Sequence, residues 1–349
     1  MSQTTDAVVF VNHPNGMPQE SDFSYRTVPV DLQNLAKDEL VVELVHVTVD
    51  PYMSARMKAN APNGYFSPFV IGQPISGGAV VKVVQSNNQH YAVGDVVVGS
   101  FTWQKVQRIK IGASEFNNFV KIDTSIPVPA SYYLGALGMP GMTAYNGFLE
   151  ICQPKEGEVV VVSAASGTVG SLVGQIAKIK GCKVIGISGS EENAQQLKDL
   201  GFDAVINYKH FNNDAYKLKE AIEQACLPKS GVDCYFDNVG GFVLDAVTLA
   251  MNRYGRISLC GSISSYNTEH RELGPRLNFL YITMELKVQG FVVTSFYGKV
   301  AEVTKQMAEW ILAGKIKVLE TRENGIENIP KSIVKLFTGD KVGKMIVDC

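Results

Sequence analysis

Apolar and polar positions divide the chain into two textures. Over residues 1–135, valine-rich runs such as ELVVELVHVTVD (39–50), GGAVVKVVQS (77–86) and AVGDVVVGSF (92–101) alternate with Pro, Gly and Asn clusters. Short apolar strands broken by turn residues predict an all-β, barrel-like unit. From about residue 155 the pattern becomes strand, helix, strand, helix. Strands are expected at 158–162, 183–188, 203–206, 232–237, 256–260 and 287–293. Helical periodicity falls near 169–180, 191–200, 213–226, 241–252 and 298–314. Alternating βα units with apolar strands imply a parallel sheet covered on both faces, an α/β doubly wound arrangement. The tail, ending KVGKMIVDC, reads as a strand that rejoins the first unit.

With 349 residues the chain exceeds one ordinary core, which supports two domains. The division expected is 1–135, with 315–349 returning to it, and 136–314. A net charge of −2 announces no basic face, so nucleic acid and anionic membranes are poor partners. No signal peptide or membrane span is legible, and the protein is read as cytoplasmic. The cysteines (152, 182, 226, 234, 260 and 349) and histidines (13, 46, 90, 210 and 270) show no CxxC, HxxxH or HxH spacing. No metal site is expected, and the cysteines read as reduced thiols. His46, inside a valine run, reads as a packed strand residue.

SAASGTVGSLVGQ (163–175) joins the first expected strand of the second unit to a helix. Ala164, Gly167 and Gly170 form AxxGxxG. The first position needs a small residue, Gly167 lets backbone approach a pyrophosphate, and Gly170 lets the helix lie close to the strand. Phosphates would sit at the helix N-terminus, where free N–H groups and the helix dipole favour anions. The second strand ends in Ser188, Gly189 and Ser190, with no acid to bind a ribose 2′-hydroxyl. That favours NADP over NAD. Glu191 and Glu192 suit the first turn of the next helix.

Nearly the whole chain resembles the medium-chain dehydrogenase/reductase superfamily, in its zinc-free branch of NADPH-dependent alkenal/one double-bond reductases, which includes the prostaglandin reductases. The resemblance is carried by VDPYM (49–53), GQPISGG (72–78), GMPGMTAYNG (138–147), SAASGTVGS (163–171), GFDAVINYK (201–209), YFDNVGG (235–241), CGSISSYN (260–267) and GFVV (290–293). It implies a Rossmann sheet plus a GroES-like N-terminal β-barrel completed by the tail. It also implies roles for individual residues. Gly167, Thr168, Val169 and Gly170 match the pyrophosphate turn, and Tyr208 a tyrosine near the adenosine phosphate. Asn238 falls at the cofactor edge of the sheet, and Thr143 matches a hydroxyl near the cofactor. Cys260, Gly261, Ser262, Ile263, Ser264, Ser265 and Tyr266 match the loop along the nicotinamide half. Phe291, Val292 and Val293 match the strand beside the nicotinamide. Two positions depart from the family pattern. Asn193 stands where a lysine commonly helps hold the 2′-phosphate, with Ser188, Ser190 and Lys209 as candidates to compensate. Lys341 stands where the family often has asparagine, and could contact a phosphate or sit in solvent.

Without metal ligands, hydrogen bonds must stabilise developing oxyanion charge. NADPH-dependent reduction of the C=C bond of an enal or enone, including 15-oxo-prostaglandins, fits that limit. Tyr266 is the candidate phenol for the carbonyl oxygen, or else an aromatic wall of the pocket. Tyr52 is the second candidate, as a substrate-shaping or a core residue. Tyr65 and Phe66 either cap the pocket or belong to ordinary surface. A quinone reductase and a non-catalytic NADPH-binding protein are the other classes consistent with the cofactor half. The exposed edge expected at 287–293, beside apolar LNFLYITMELKVQ, predicts a homodimer.

Overall fold

The computed structural model describes residues 3–59, 67–112, 119–268, 272–339 and 341–349. Tyr65, Phe66 and His270 lie outside the described residues. The described chain forms two compact units. One holds the chain up to Leu134 together with 320–339 and 344–349; the other holds Gly135–Leu319 and Lys341–Gly343.

The first unit starts with a two-stranded antiparallel sheet of β1 (Gln3–Phe10) and β2 (Phe23–Val30). The long valine runs become β3 (Glu39–Thr48), then, after the short α1 (Met53–Met57), β4 (Ser76–Ser86), β5 (Val96–Thr102), β6 (Val106–Lys110) and β7 (Val120–Lys121). Alternate residues of β3 and β4 enter a core around Leu40, Val42, Val81, Val83, Met53, Trp103 and Phe101.

The second unit carries α2 (Met139–Leu149), β8 (Val159–Ser163), α3 (Thr168–Ile179), β9 (Lys183–Ser188), α4 (Glu192–Asp199), β10 (Ala204–Asn207), α5 (Ala215–Cys226), β11 (Val232–Asp237), α6 (Gly241–Leu249), β12 (Met251–Leu259), α7 (Asn278–Thr283), β13 (Lys287–Gly290) and α8 (Val300–Leu312). Its six strands run β10-β9-β8-β11-β12-β13, and all five pairings are parallel. Every residue of β8 is buried, as a central parallel strand should be when helices cover both faces of the sheet.

The tail supplies β14 (Glu320–Asn324), α9 (Ile329–Thr338) and β15 (Lys344–Asp348). β15 pairs with β3 and β14, completing a sheet ordered β14-β15-β3-β4-β5-β7, with β6 on the free part of β3. His46, on β3, is half-buried, and its Nδ1 lies 2.7 Å from Asp348 Oδ1 on β15, so it ties the tail strand in place.

Two expected elements are shorter than the sequence pattern suggests. The helix expected to reach 252 ends at Leu249, because Met251 already pairs with Val232 as the start of β12. The strand expected over 287–293 ends at Gly290. Its only partner among the described residues, β12, stops at Leu259 opposite Gly290, so Phe291, Val292 and Val293 lie beyond the strand, and Val293 opens a 3-10 turn.

Candidate cofactor site and catalytic residues

β8 delivers the chain to the turn Ala164–Gly167. Ala164 takes a positive φ of 46°, and the Gly167 N–H closes the turn on the Ala164 carbonyl at 3.0 Å. Gly167 then caps α3 with extended backbone and no side-chain cap. The N–H groups of the first helical turn, including those of Thr168 and Val169, therefore meet no capping side chain and face the end of the sheet. At Gly170 a Cβ would lie 2.4 Å from the Ala164 carbonyl oxygen, so only glycine lets α3 approach the turn this closely. A small, uncapped, glycine-lined helix start fits a bound phosphate.

The end of β9 lies beside this turn. Ser188 is buried, with its Oγ 3.3 Å from Ser166 Oγ, and Asn193 donates from Nδ2 to the same Ser166 Oγ at 3.1 Å. Tyr208 and Lys209, just past β10, lie against Gly189, where a Cβ would be 2.9 Å from Tyr208 Cε1 and 3.2 Å from Lys209 Cε. Glu191 is drawn aside by Asn207 Nδ2 at 2.8 Å and His210 Nε2 at 3.2 Å. Hydroxyls, one phenol and one lysine side chain thus gather around the Ser188–Gly189 turn, while the Glu191 carboxylate is engaged by Asn207 and His210.

The third part of the site grows from the end of β11. The buried Asp237 accepts from Ser163 Oγ at 2.9 Å, from Tyr235 Oη at 2.6 Å and from the backbone N–H groups of Val239 and Gly240. Asn238 is locked to β8: its N–H donates to Ser163 Oγ at 2.9 Å and its Nδ2 to the Ser163 carbonyl at 2.8 Å. The sequence reading overlooked Asp237, Ser163 and Ser166. An acid ending a strand directly before a glycine pair, as in YFDNVGG, was the available signal for Asp237.

The loop after β12 folds back onto this network. The N–H groups of Cys260 and Gly261 reach the Asp237 carbonyl, and those of Ile263 and Ser264 reach Asn238 and Val239. Ser262 Oγ and Ser265 Oγ lie 2.8 Å apart. The Ser262 N–H donates to the phenol oxygen of Tyr266 at 3.2 Å, which fixes the ring over its own loop. Burial raises the Tyr266 pKa above the usual phenol value, against the smaller opposing effect of the Ser262 hydrogen bond. The O–H therefore keeps its proton at neutral pH. Burial also pushes the Cys260 thiol up to about 12.

Thr143 on α2 is buried and spends its hydroxyl on the Met139 carbonyl at 2.8 Å. Phe291 packs its ring against Gly147 of α2 and 6.2 Å from the ring of Phe236, while Val292 is exposed and Val293 buried. Tyr52 belongs to the first unit. It precedes α1 and packs partly on that unit's core. Two residues before it, Asp50 forms a buried ion pair with Lys344 of β15. Arg56 of α1 holds the backbone downstream, donating to the carbonyls of Ser76 at 2.7 Å and Ser67 at 2.9 Å. Among the described residues, no three His, Cys, Asp or Glu side chains gather as a metal-binding group.

Residues 7–115 match the family described as the N-terminal domain of oxidoreductase, and residues 168–313 match the zinc-binding dehydrogenase family. An NADP-dependent oxidoreductase of Bacillus subtilis is 43% identical, over 99% of this chain and 98% of its own. The NADP(+)-dependent 2-alkenal reductase of Nicotiana tabacum is 40% identical, over 97% and 96%. The crystal structure of CurA from Vibrio vulnificus in complex with NADPH superposes with a TM-score of 0.86 at 38% identity, covering 98% of each chain. A quinone oxidoreductase structure matches at only 20% identity and a TM-score of 0.72, a likeness of fold alone.

Proposed function

The chain belongs to the zinc-free branch of the medium-chain dehydrogenase/reductase superfamily that holds the NADP-dependent alkenal and prostaglandin reductases, and from that premise we propose that it reduces the C=C bond of α,β-unsaturated aldehydes and ketones with NADPH. The observation that carries this reading is the presence, in one unit, of an uncapped phosphate turn, a hydroxyl-rich second turn with Glu191 engaged by Asn207 and His210, and a half-buried phenol that keeps its proton.

In this reading Gly167, Thr168, Val169 and Gly170 hold the pyrophosphate. Ser188, Tyr208 and Lys209 attend the 2′-phosphate. Asn238, the loop from Cys260 to Tyr266, Thr143 and the segment Phe291–Val293 line the nicotinamide half. Bound NADPH supplies a hydride equivalent for the β-carbon of the substrate. The protein's task is to hold the carbonyl and take up the charge that gathers on its oxygen. Tyr266 meets that need: its O–H is retained at neutral pH and the Ser262 N–H holds its oxygen, so it is the proposed donor to the carbonyl oxygen. Asp237 acts at one remove by fixing the turn on which Asn238 and the Tyr266 loop rest. Tyr52, on the rigid Asp50–Met53 corner of the first unit, shapes the substrate side. No step asks for a metal ligand.

We further propose a homodimer in the cytoplasm. Among the described residues β13 is one of the two edge strands of the parallel sheet, and all four of its residues are exposed. Beside it Phe279 and Ile282 stand 78% and 72% exposed on one face of α7, and Val288 and Val292 are exposed too. An apolar open edge suits pairing with a second copy across a two-fold axis. Six free cysteines suit a reducing compartment, and among the described residues no helix is long and apolar enough to cross a membrane.

The test is NADPH oxidation against an alkenal, an enone and a quinone, each with and without a strong chelator. Turnover of the first two, unaffected by chelation, is expected. Turnover of the quinone alone, or of none, rejects the assignment.

A further inference from the structure

Within the first unit, α1 has five residues, too few to hold a helix by itself, and it is fastened at both ends. Tyr52 caps its start. There the Met53 N–H donates to the carbonyl of Asp50, the partner of Lys344, at 3.0 Å. At its far end His13 Nδ1 lies 2.7 Å from the Met57 carbonyl oxygen. Arg56 supplies most of the remaining contacts. Its guanidinium donates from Nε to the Ser67 carbonyl at 2.9 Å, from Nη1 to the Ser76 carbonyl at 2.7 Å and from Nη2 to Ser76 Oγ at 3.0 Å. It also lies 4.2 Å from the centre of the Phe69 ring, and the Phe69 N–H donates back to the Arg56 carbonyl at 2.7 Å.

All these partners are neutral. Arg108, Arg256 and Arg322 each hold a carboxylate, whereas among the described residues none pairs with the half-buried Arg56. Burial lowers the Arg56 pKa, and the one group opposing that effect is Tyr52, four positions earlier on the same side of the turn. The guanidinium nonetheless stays charged. A cation held by dipoles alone keeps its field for a nearby oxygen that gains negative charge.

We propose that Arg56 is a positioning residue for the reaction and works through the Tyr52 hydroxyl: it holds the short helix that carries Tyr52 and places an uncompensated positive charge behind that phenol. This rests on the reading of Tyr52 as part of the substrate side. Holding the helix serves substrate binding. The charge counts for more as the carbonyl oxygen becomes an enolate, because a phenol backed by a cation gains most when its acceptor is charged. The two contributions therefore separate into KM and kcat.

Steady-state kinetics of the full-length protein with NADPH and an enone, in the wild-type and Tyr52→Phe backgrounds, tests this. Arg56→Lys keeps the charge but loses the fork, so KM is expected to rise by roughly three- to tenfold while kcat stays within about twofold. Arg56→Gln loses both, and kcat is expected to fall by roughly tenfold as well. In the Tyr52→Phe background Arg56→Gln is expected to change kcat by less than about twofold. Fluorescence titration is expected to return the wild-type NADPH dissociation constant for every variant. An equal kcat loss in both backgrounds, no loss in either, or a parallel loss of NADPH affinity overturns the proposal. Should a melting curve show Arg56→Gln unfolded, Arg56→Met, which keeps a stem over Phe69, takes its place; if neither folds, Arg56→Lys decides alone, and a kcat loss at retained charge overturns the proposal. A wild-type protein that reduces no enone rejects the activity itself, and the proposal with it.

Discussion

Asn193 hands its side-chain amide proton to Ser166 Oγ, 3.1 Å away, across the gap between the second strand's turn and the first. The side chain at this position therefore points at the residue preceding the phosphate turn rather than into solvent. Replacing it with lysine puts a cation beside Ser188 and Ser166. Asn193→Lys should tighten NADPH binding by about 1–3 kcal/mol and leave NADH nearly unaffected. Titration of the two cofactors decides it; an unchanged NADPH constant means that position 193 does not meet the 2′-phosphate.

Tyr266→Phe removes the O–H but keeps the ring. With the phenol as the donor to the carbonyl oxygen, kcat should drop by about 10- to 1000-fold with a small change in NADPH affinity. The raised pKa also fixes the sign of the pH dependence. The protonated form is the competent one, so its contribution holds through neutral pH and disappears only above the ordinary phenol range. Rate profiles of wild type and variant should differ by a constant factor from pH 6 to 9. An undiminished kcat in the variant makes Tyr266 a wall and not a donor.

The ion pair of Lys344 and Asp50 is buried in the first unit, with the Lys344 side chain 2% exposed. Asp50→Asn strands that ammonium without its counter-charge, at a cost of about 3–5 kcal/mol. Because Asp50 sits two residues before Tyr52, the loss should also disturb the corner that carries Tyr52. Urea denaturation measures the first effect and KM for a bulky enone the second. A stability change below about 1 kcal/mol contradicts this account.

For the dimer, light scattering at micromolar concentration should return twice the chain mass. Val292→Lys places a charge just beyond β13 and should shift the mass toward one chain. Since Phe291 packs on Gly147 next to this segment, dissociation is expected to loosen NADPH binding as well. Monomers with unaltered NADPH affinity would separate the interface from the cofactor site.

Local signals were the legible ones. The AxxGxxG turn, the strand at 183–188 and a helix near 191–200 follow from spacing within a dozen residues, and the structure has the turn, the strand and a helix over Glu192–Asp199. What spacing could not supply was partnership. The extent of β13 depends on where β12 stops, and the end of α6 on the pairing of Met251 with Val232. The Asp237–Ser163 contact joins residues 74 positions apart. The Gly343–Ser166 contact spans the return of the tail. Lys341 and Asn193 were noticed as departures from a family pattern, but their surroundings emerge only from the folded chain.

The thiols have a consequence for the kind of molecule proposed as substrate. Enals are soft electrophiles that add to thiolates, so an enzyme that processes them risks alkylating itself. Cys260 lies in the very loop proposed to line the nicotinamide half, yet its burial holds the thiol at about 12, and the terminal Cys349 is likewise pushed up to about 12. At neutral pH thiols raised in this way stay in the protonated, weakly nucleophilic form. Cys182 and Cys226, each raised to about 11 by burial, and the still more strongly suppressed Cys234 extend the same protection inward. The fold thereby keeps these five thiols protonated in the presence of a thiol-seeking cargo.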